Sequence, residues 1–137
     1  MRPDLMIIDD TYDQLLLMRG ALRMVGPTLQ IVTAQSGEVA LKMLRAEPQN
    51  LPKVILLDLR MPGKSGQEVL SELKADPILK KIPICIFSNA DIESEVCDCY
   101  LRGANFYFKK PTGLAELKEF LEHFISVWFT FASLCAP

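Results

Sequence analysis

Apolar residues recur along this chain at two spacings that take turns. Unbroken runs rich in Ile, Leu and Val alternate with longer stretches whose apolar positions return every three to four residues. The runs predict buried strands, and the longer stretches predict amphipathic helices. Strands are expected over residues 4–9 (DLMIID), 29–34 (LQIVTA), 53–58 (KVILLD), 82–88 (IPICIFS) and 105–108 (NFYF). Helices are expected over residues 12–26, 36–47, 65–76, 91–103 and 112–128. The punctuation agrees. Gly26 and Gly103 stop helices, Ser36 and Asp91 cap them, and the second helix ends just before Pro48.

Strand and helix alternate five times, which implies an α/β domain. Strands that are apolar on both faces need helices on both sides, hence a parallel, doubly wound sheet. Five strands suit the flavodoxin-like order 2-1-3-4-5. Strands one and three then flank the point where winding reverses, and ligands bind there, beyond the carboxyl ends of the strands. The pattern assigns residues 1–128 to this domain. It leaves residues 129–137 as a short apolar tail with no output domain.

Composition narrows the function classes. The chain has 137 residues, enough for one sizeable core. Its net charge is −2, from 15 basic and 17 acidic residues, so no electrostatic footprint for nucleic acid or an acidic membrane surface is expected. No signal-peptide pattern opens it, and its most apolar stretch, residues 124–136, is too short to span a bilayer. Cys85, Cys97, Cys99 and Cys135 fit no zinc or redox spacing. They read as free thiols of a reducing cytoplasm.

The chemistry lies at the strand ends. Strand one ends in Asp9 and Asp10, strand three in Asp58 and strand four in Ser88, and Lys109-Lys110-Pro111 follows strand five. In the expected topology these groups converge on one edge of the sheet. Clustered carboxylates repel one another unless a cation holds them. All-oxygen ligands suit a hard ion such as Mg²⁺, which recruits phosphate oxygens. A lysine and a hydroxyl opposite the metal would complete a clamp for a phosphoryl group. One neutralised carboxylate could then act as a nucleophile and form an aspartyl phosphate, and Asp58 is the most central.

The motifs IIDD ending at Asp10, ILLDLRMPGKSG around Asp58, FSNA at Ser88 and GANFYFKKP ending at Pro111 stand in this order. Together they resemble the CheY-like receiver domain of two-component response regulators, over residues 4 to 128. The resemblance implies that Asp58 is the phosphoacceptor, with Asp10 a direct Mg²⁺ ligand and Asp9 a ligand mainly through water; Mn²⁺ is an alternative ion. It implies that the backbone carbonyl of Arg60 is a further ligand, that Ser88 bonds a phosphoryl oxygen and that Lys110 pairs with it. It implies a cis Lys110–Pro111 bond that aims the lysine inward. Tyr107 matches the aromatic that moves inward with the hydroxyl residue as a two-state switch. The chain departs from the common pattern at Asn89, Asn105 and Lys109. Asn89 stands where Ala or Gly is usual, and Asn105 where Asp is frequent.

The implied function is a stand-alone response regulator. It would not be an enzyme beyond catalysing its own phosphorylation and dephosphorylation. Its partners would be a sensor histidine kinase or histidine phosphotransfer protein, and a downstream target or relay. Partner choice is expected in the first helix, around Tyr12, Leu15, Leu16 and Arg19, and near the KKPTG loop, residues 109–113. The SNA sequence and aromatic C-terminus resemble regulators serving phytochrome-type kinases. The alternatives are a phosphorylation-independent protein-binding module, an Mg²⁺-dependent phosphatase of the haloacid-dehalogenase type and a flavin carrier. The phosphatase needs its nucleophile on strand one, and the flavin carrier needs a phosphate loop where DDTYDQ stands.

In the fifth helix Leu114, Leu117, Leu121, Phe124, Ile125 and Trp128 fall at core-facing spacing. Phe120, Val127, Phe129 and Phe131 form a second apolar stripe. One amphipathic helix rarely needs both. The second stripe either folds back on the domain or meets a partner or a second copy in a homodimer.

Overall fold

The computed structural model describes residues 2–135. Five parallel strands, β1 (Leu5–Ile8), β2 (Ile31–Ala34), β3 (Val54–Leu57), β4 (Ile84–Ser88) and β5 (Phe106–Lys109), form one sheet in the order β2-β1-β3-β4-β5. Helices α1 (Tyr12–Val25), α2 (Gly37–Ala46), α3 (Gly66–Ala75), α4 (Glu93–Leu101) and α5 (Leu114–Ile125) connect and follow them. This is the expected fold and strand order. A short 3₁₀ turn at Leu79–Lys81 was not foreseen by periodicity, because one turn is too short to carry any.

Alternation within each strand explains the unbroken apolar runs. Met6, Ile8, Ile55, Leu57, Ile84 and Ile86 share one core with Leu41 of α2 and Leu70 and Leu73 of α3. Leu5, Ile7, Val54, Leu56, Cys85 and Phe87 share the other with Leu15, Met18 and Leu22 of α1 and Leu117, Leu121 and Phe124 of α5. Successive residues point to opposite faces, so a strand covered on both sides must be apolar throughout. The edge strand β5 departs from that expectation. Phe106 and Lys109 are exposed, because a lateral edge has a neighbour on one side only.

Helix ends confirm some signals and correct others. Ser36 caps α2, its hydroxyl accepting from Val39 N. Ser65 and Glu68 form a capping box at the start of α3. Asp91 does not cap the fourth helix, which starts at Glu93 after Ile92. The Asp91 carboxylate instead lies 3.5 Å from Lys109 Nζ. Thr11 holds the N-cap position of α1.

α5 runs directly into a π-helical turn, Ser126–Phe131. Trp128 is buried there, its ring 5.9 Å from that of Phe106 and 6.3 Å from that of Phe124. Phe129 and Leu134 also pack on the second core, so the tail folds back on the domain. Leu114 and Val127 remain exposed, and Phe131 is 78% exposed. Among the described residues no helix is long and apolar enough to cross a membrane. Cys85, Cys97 and Cys99 are free thiols.

Candidate functional site

Register builds the site. Ile8 pairs with Leu57, so the next residues along, Asp9 and Asp58, emerge side by side. The ladder continues through them: Asp58 N donates to Ile8 O at 2.9 Å, and Asp9 N to Ala34 O at 3.1 Å. On the other flank Ser88 pairs with Lys109, and Lys110 N donates to Ser88 O at 2.8 Å. Four strand ends therefore bring their polar residues to one edge, as the topology requires.

The side chains then converge. Asp9, Asp10 and Asp58 each offer a carboxylate oxygen within 4.8 Å of the others. Asp9 and Asp58 are buried, while Asp10 is partly so. Lys110 Nζ lies 3.1 Å from Asp9 Oδ2 and 3.8 Å from Asp58 Oδ1. Its ammonium also sits 5.8 Å from the centre of the Phe87 ring. Asp9 Oδ1 accepts from Thr11 N at 3.0 Å, which fixes the turn into α1. Asp58 Oδ1 accepts a long bond, 3.4 Å, from Arg60 N.

Burial pushes the Asp58 carboxyl up to about 6. Lys110 opposes that shift, Asp9 adds to it, and the Arg60 N–H and Asp10 act more weakly in opposite senses. One ammonium faces three carboxylates, so negative charge is in excess. An all-oxygen, electron-rich set of this kind fits a hard divalent cation.

The turn after Asp58 depends on Gly66. A Cβ there would lie 2.4 Å from Asp58 O and 2.5 Å from Leu59 Cα. Only glycine lets α3 begin this close behind the carboxylate.

Ser88 is fully buried, and its hydroxyl accepts from Ala90 N at 3.3 Å. The Tyr107 hydroxyl points to the same loop and donates to Ala90 O at 2.5 Å. Burial raises the Tyr107 phenol, with Ser88 near enough to oppose the shift. The sequence-predicted residues Asp9, Asp10, Asp58, Ser88, Tyr107 and Lys110 are thus brought together.

The Lys110–Pro111 bond is trans, since there is no cis peptide bond among the described residues, and this corrects the expectation of a cis-proline at Pro111. The lysine reaches its place without a cis bond. The bond from Lys110 N to Ser88 O extends the β4–β5 pairing by one residue, which already directs the lysine to the acidic cluster. The trans isomer is the more stable by about 0.5–1 kcal/mol in unconstrained X–Pro bonds.

Sequence reasoning passed over Glu95. Arg60 Nη2 lies 3.0 Å from both of its carboxylate oxygens, joining the loop after β3 to the first turn of α4. Nothing in the spacing of residues 60 and 95 signals this pair, because it joins two separate βα units.

Comparison with known proteins agrees with this geometry. A profile of the response regulator receiver domain matches residues 5–122. The chain is 29% identical to the response regulator Rcp1 of Synechocystis over 136 residues, 96% of this chain and 92% of that protein. It is 29% identical over 127 residues to a probable methanogenesis regulatory protein, FilR2, of Methanothrix harundinacea, covering 90% of this chain and 82% of the other. The structure of phosphorylated RcpA, a cyanobacterial phytochrome response regulator, superposes with a TM-score of 0.88 at 30% identity, covering 98% of this chain and 99% of that one. The Mn²⁺-bound form of Rcp1 superposes with a TM-score of 0.87 at 28% identity, with the same coverage. Profile, fold and the register that gathers the acidic edge agree: this chain belongs to the response regulator receiver family of two-component signalling.

Proposed function

We propose that the protein is a phosphoacceptor switch in which Asp58 takes a phosphoryl group from a histidine kinase or histidine phosphotransfer protein. One observation carries this reading. The Asp58 carboxylate is buried, faces Lys110 at 3.8 Å and shares its edge with two further carboxylates. Asp9, Asp10, Asp58 and the Arg60 carbonyl would hold Mg²⁺, for which Mn²⁺ can substitute. When bound, the ion neutralises charge on the phosphoryl oxygens.

The chain's own groups do the rest. With its carboxyl at about 6, Asp58 is ionised at neutral pH and ready as a nucleophile. Its oxygen attacks phosphorus as the P–N bond of the donor phosphohistidine breaks, and the imidazole leaves with the bonding pair. Lys110 pairs with a phosphoryl oxygen, and the Ser88 hydroxyl donates to another. Ser88 must swing for this, which leaves Tyr107 to follow it inward. The protein turns over no separate substrate.

Tyr12, Leu16 and Arg19 line a cleft of about 430 Å³ with Thr33 and Gln35, a surface suited to docking the donor. Leu15 reaches it from the core side, where it is buried. The relatives tied by name to phytochrome favour a kinase of that type as donor. The downstream partner is a protein target or a relay, and the protein acts in the cytoplasm.

The test is intact-mass spectrometry after incubation with acetyl phosphate and Mg²⁺. Wild type should gain one phosphoryl group, lost with chelator and absent in Asp58→Asn. Absence of the adduct, together with no uptake of beryllofluoride, would leave a phosphorylation-independent binding module as the better reading.

A further inference from the structure

α4 is held differently from the other helices. Helices α2 and α3 each bury four residues, whereas α4 buries Cys99 alone among its nine. With so little apolar surface removed from water, its position depends on polar contacts. At its C-terminal end Arg102 donates to Asp98, to Ser71 Oγ and to Gln67 O, tying it to α3. In the same last turn Tyr100 Oη accepts from Tyr107 N at 3.1 Å. At its N-terminal end the anchor is Glu95, held by Arg60.

Arg60 makes two contacts with different consequences. Its backbone N–H donates to Asp58 Oδ1, and its guanidinium reaches Glu95. One residue thus touches the acceptor carboxylate with its main chain and α4 with its side chain. Tyr107 lies beside the pair, close enough for both charges to act on its phenol. We propose that the Arg60–Glu95 pair is a latch that ties α4 to the loop behind Asp58, so that occupancy of the carboxylate is transmitted to the first turn of α4. Its input rests on the phosphoacceptor reading above; its tether rests on the contacts alone.

The pair's strength suits a latch. The Arg60 side chain is 59% exposed and that of Glu95 28%, so the ion pair is screened and modest. A modest tether on a weakly buried helix can be broken and remade. Loading Asp58 alters the bond from Arg60 N. The guanidinium then either follows the loop and draws α4 with it, or lets α4 go.

Hydrogen exchange over residues 93–101 tests this. In metal-free protein Glu95→Gln should speed exchange of α4 roughly threefold to tenfold. Arg60→Gln should do the same, and the double variant should add nothing beyond either single change, as expected for two residues acting through one contact. Beryllofluoride with Mg²⁺ should alter α4 exchange in wild type. In Glu95→Gln it should still be taken up, as read by fluorine NMR, with the α4 response reduced by half or more. Unchanged α4 exchange in Glu95→Gln, additive single effects, or a full α4 response to beryllofluoride without Glu95 would each overturn the latch. A wild type that takes up no beryllofluoride would overturn the phosphoacceptor reading and the coupling with it. The metal-free comparison, which involves no phosphate chemistry, keeps the two failures apart.

Discussion

Asp58 is costly to the fold that presents it. Its carboxyl is raised from 3.8 to about 6, first by burial. Below 3.8 both folded and unfolded chains hold the proton. Between 3.8 and about 6 the folded protein keeps a proton that the unfolded chain has released, so stability falls as pH rises through this window. Above about 6 the cost is full, on the order of 1–3 kcal/mol. Two outcomes follow for protein kept in chelator. Urea denaturation should give greater stability near pH 5 than near pH 7.5 for this group. Asp58→Asn should stabilise the protein at pH 7.5 by a similar amount and remove this contribution to the pH dependence. A less stable Asp58→Asn would mean that the ion pair with Lys110 outweighs desolvation.

At the scale of elements, the opposite end of the sheet holds a second unusual group. Lys74, near the end of α3, reaches the carbonyls of Lys80 and Ile82 and the Asn105 Oδ1, at 3.3, 3.1 and 3.3 Å. All three acceptors are neutral, and burial holds the Lys74 ammonium below the usual lysine range. Asn105 Oδ1 also accepts from Ile84 N at 2.9 Å, so one side-chain oxygen joins α3, β4 and the start of β5. Both neighbours of that oxygen are donors. Asn105→Asp keeps both bonds and supplies the missing countercharge, with an expected gain of about 1 kcal/mol. The urea midpoint at constant slope measures it. A lower midpoint would show that the second amide position of Asn105 has a role these bonds do not include.

For the whole molecule, α4, β5 and the π-helical turn carry exposed apolar side chains. Leu101 is 88% exposed, and Tyr100, Phe106, Val127 and Phe131 are exposed too. Phe106, Phe108, Phe120, Phe124, Val127 and Trp128 line a cavity of about 190 Å³. Apolar surface gathered in this way favours association. We therefore expect concentration-dependent sedimentation, and a monomer at all concentrations for Phe131→Asp combined with Val127→Asp. A wild type that stays monomeric at high concentration would assign this surface to a different protein.

Two things were legible in the chain by itself. The unbroken apolar runs of the central strands dictated a parallel sheet covered on both faces, because a pleated strand with no polar position has no face to give to water. Charged or hydroxyl residues at four of the five strand tips dictated where chemistry would gather, because parallel strands place all their carboxyl ends on one edge. Asp9, Asp10, Asp58, Ser88 and Lys110 were found in this way. What the sequence left open were the contacts between units far apart along the chain. The trans Lys110–Pro111 bond was not legible, because X–Pro bonds take either isomer and local sequence does not choose between them. The exposure of Phe131 follows from where the tail packs, and the half-exposed β5 from its place at the lateral edge of the sheet. The Arg60–Glu95 pair joins residues 35 apart that no periodicity relates. Local pattern reports which face a residue takes, and only the assembled sheet decides which other residue is waiting there.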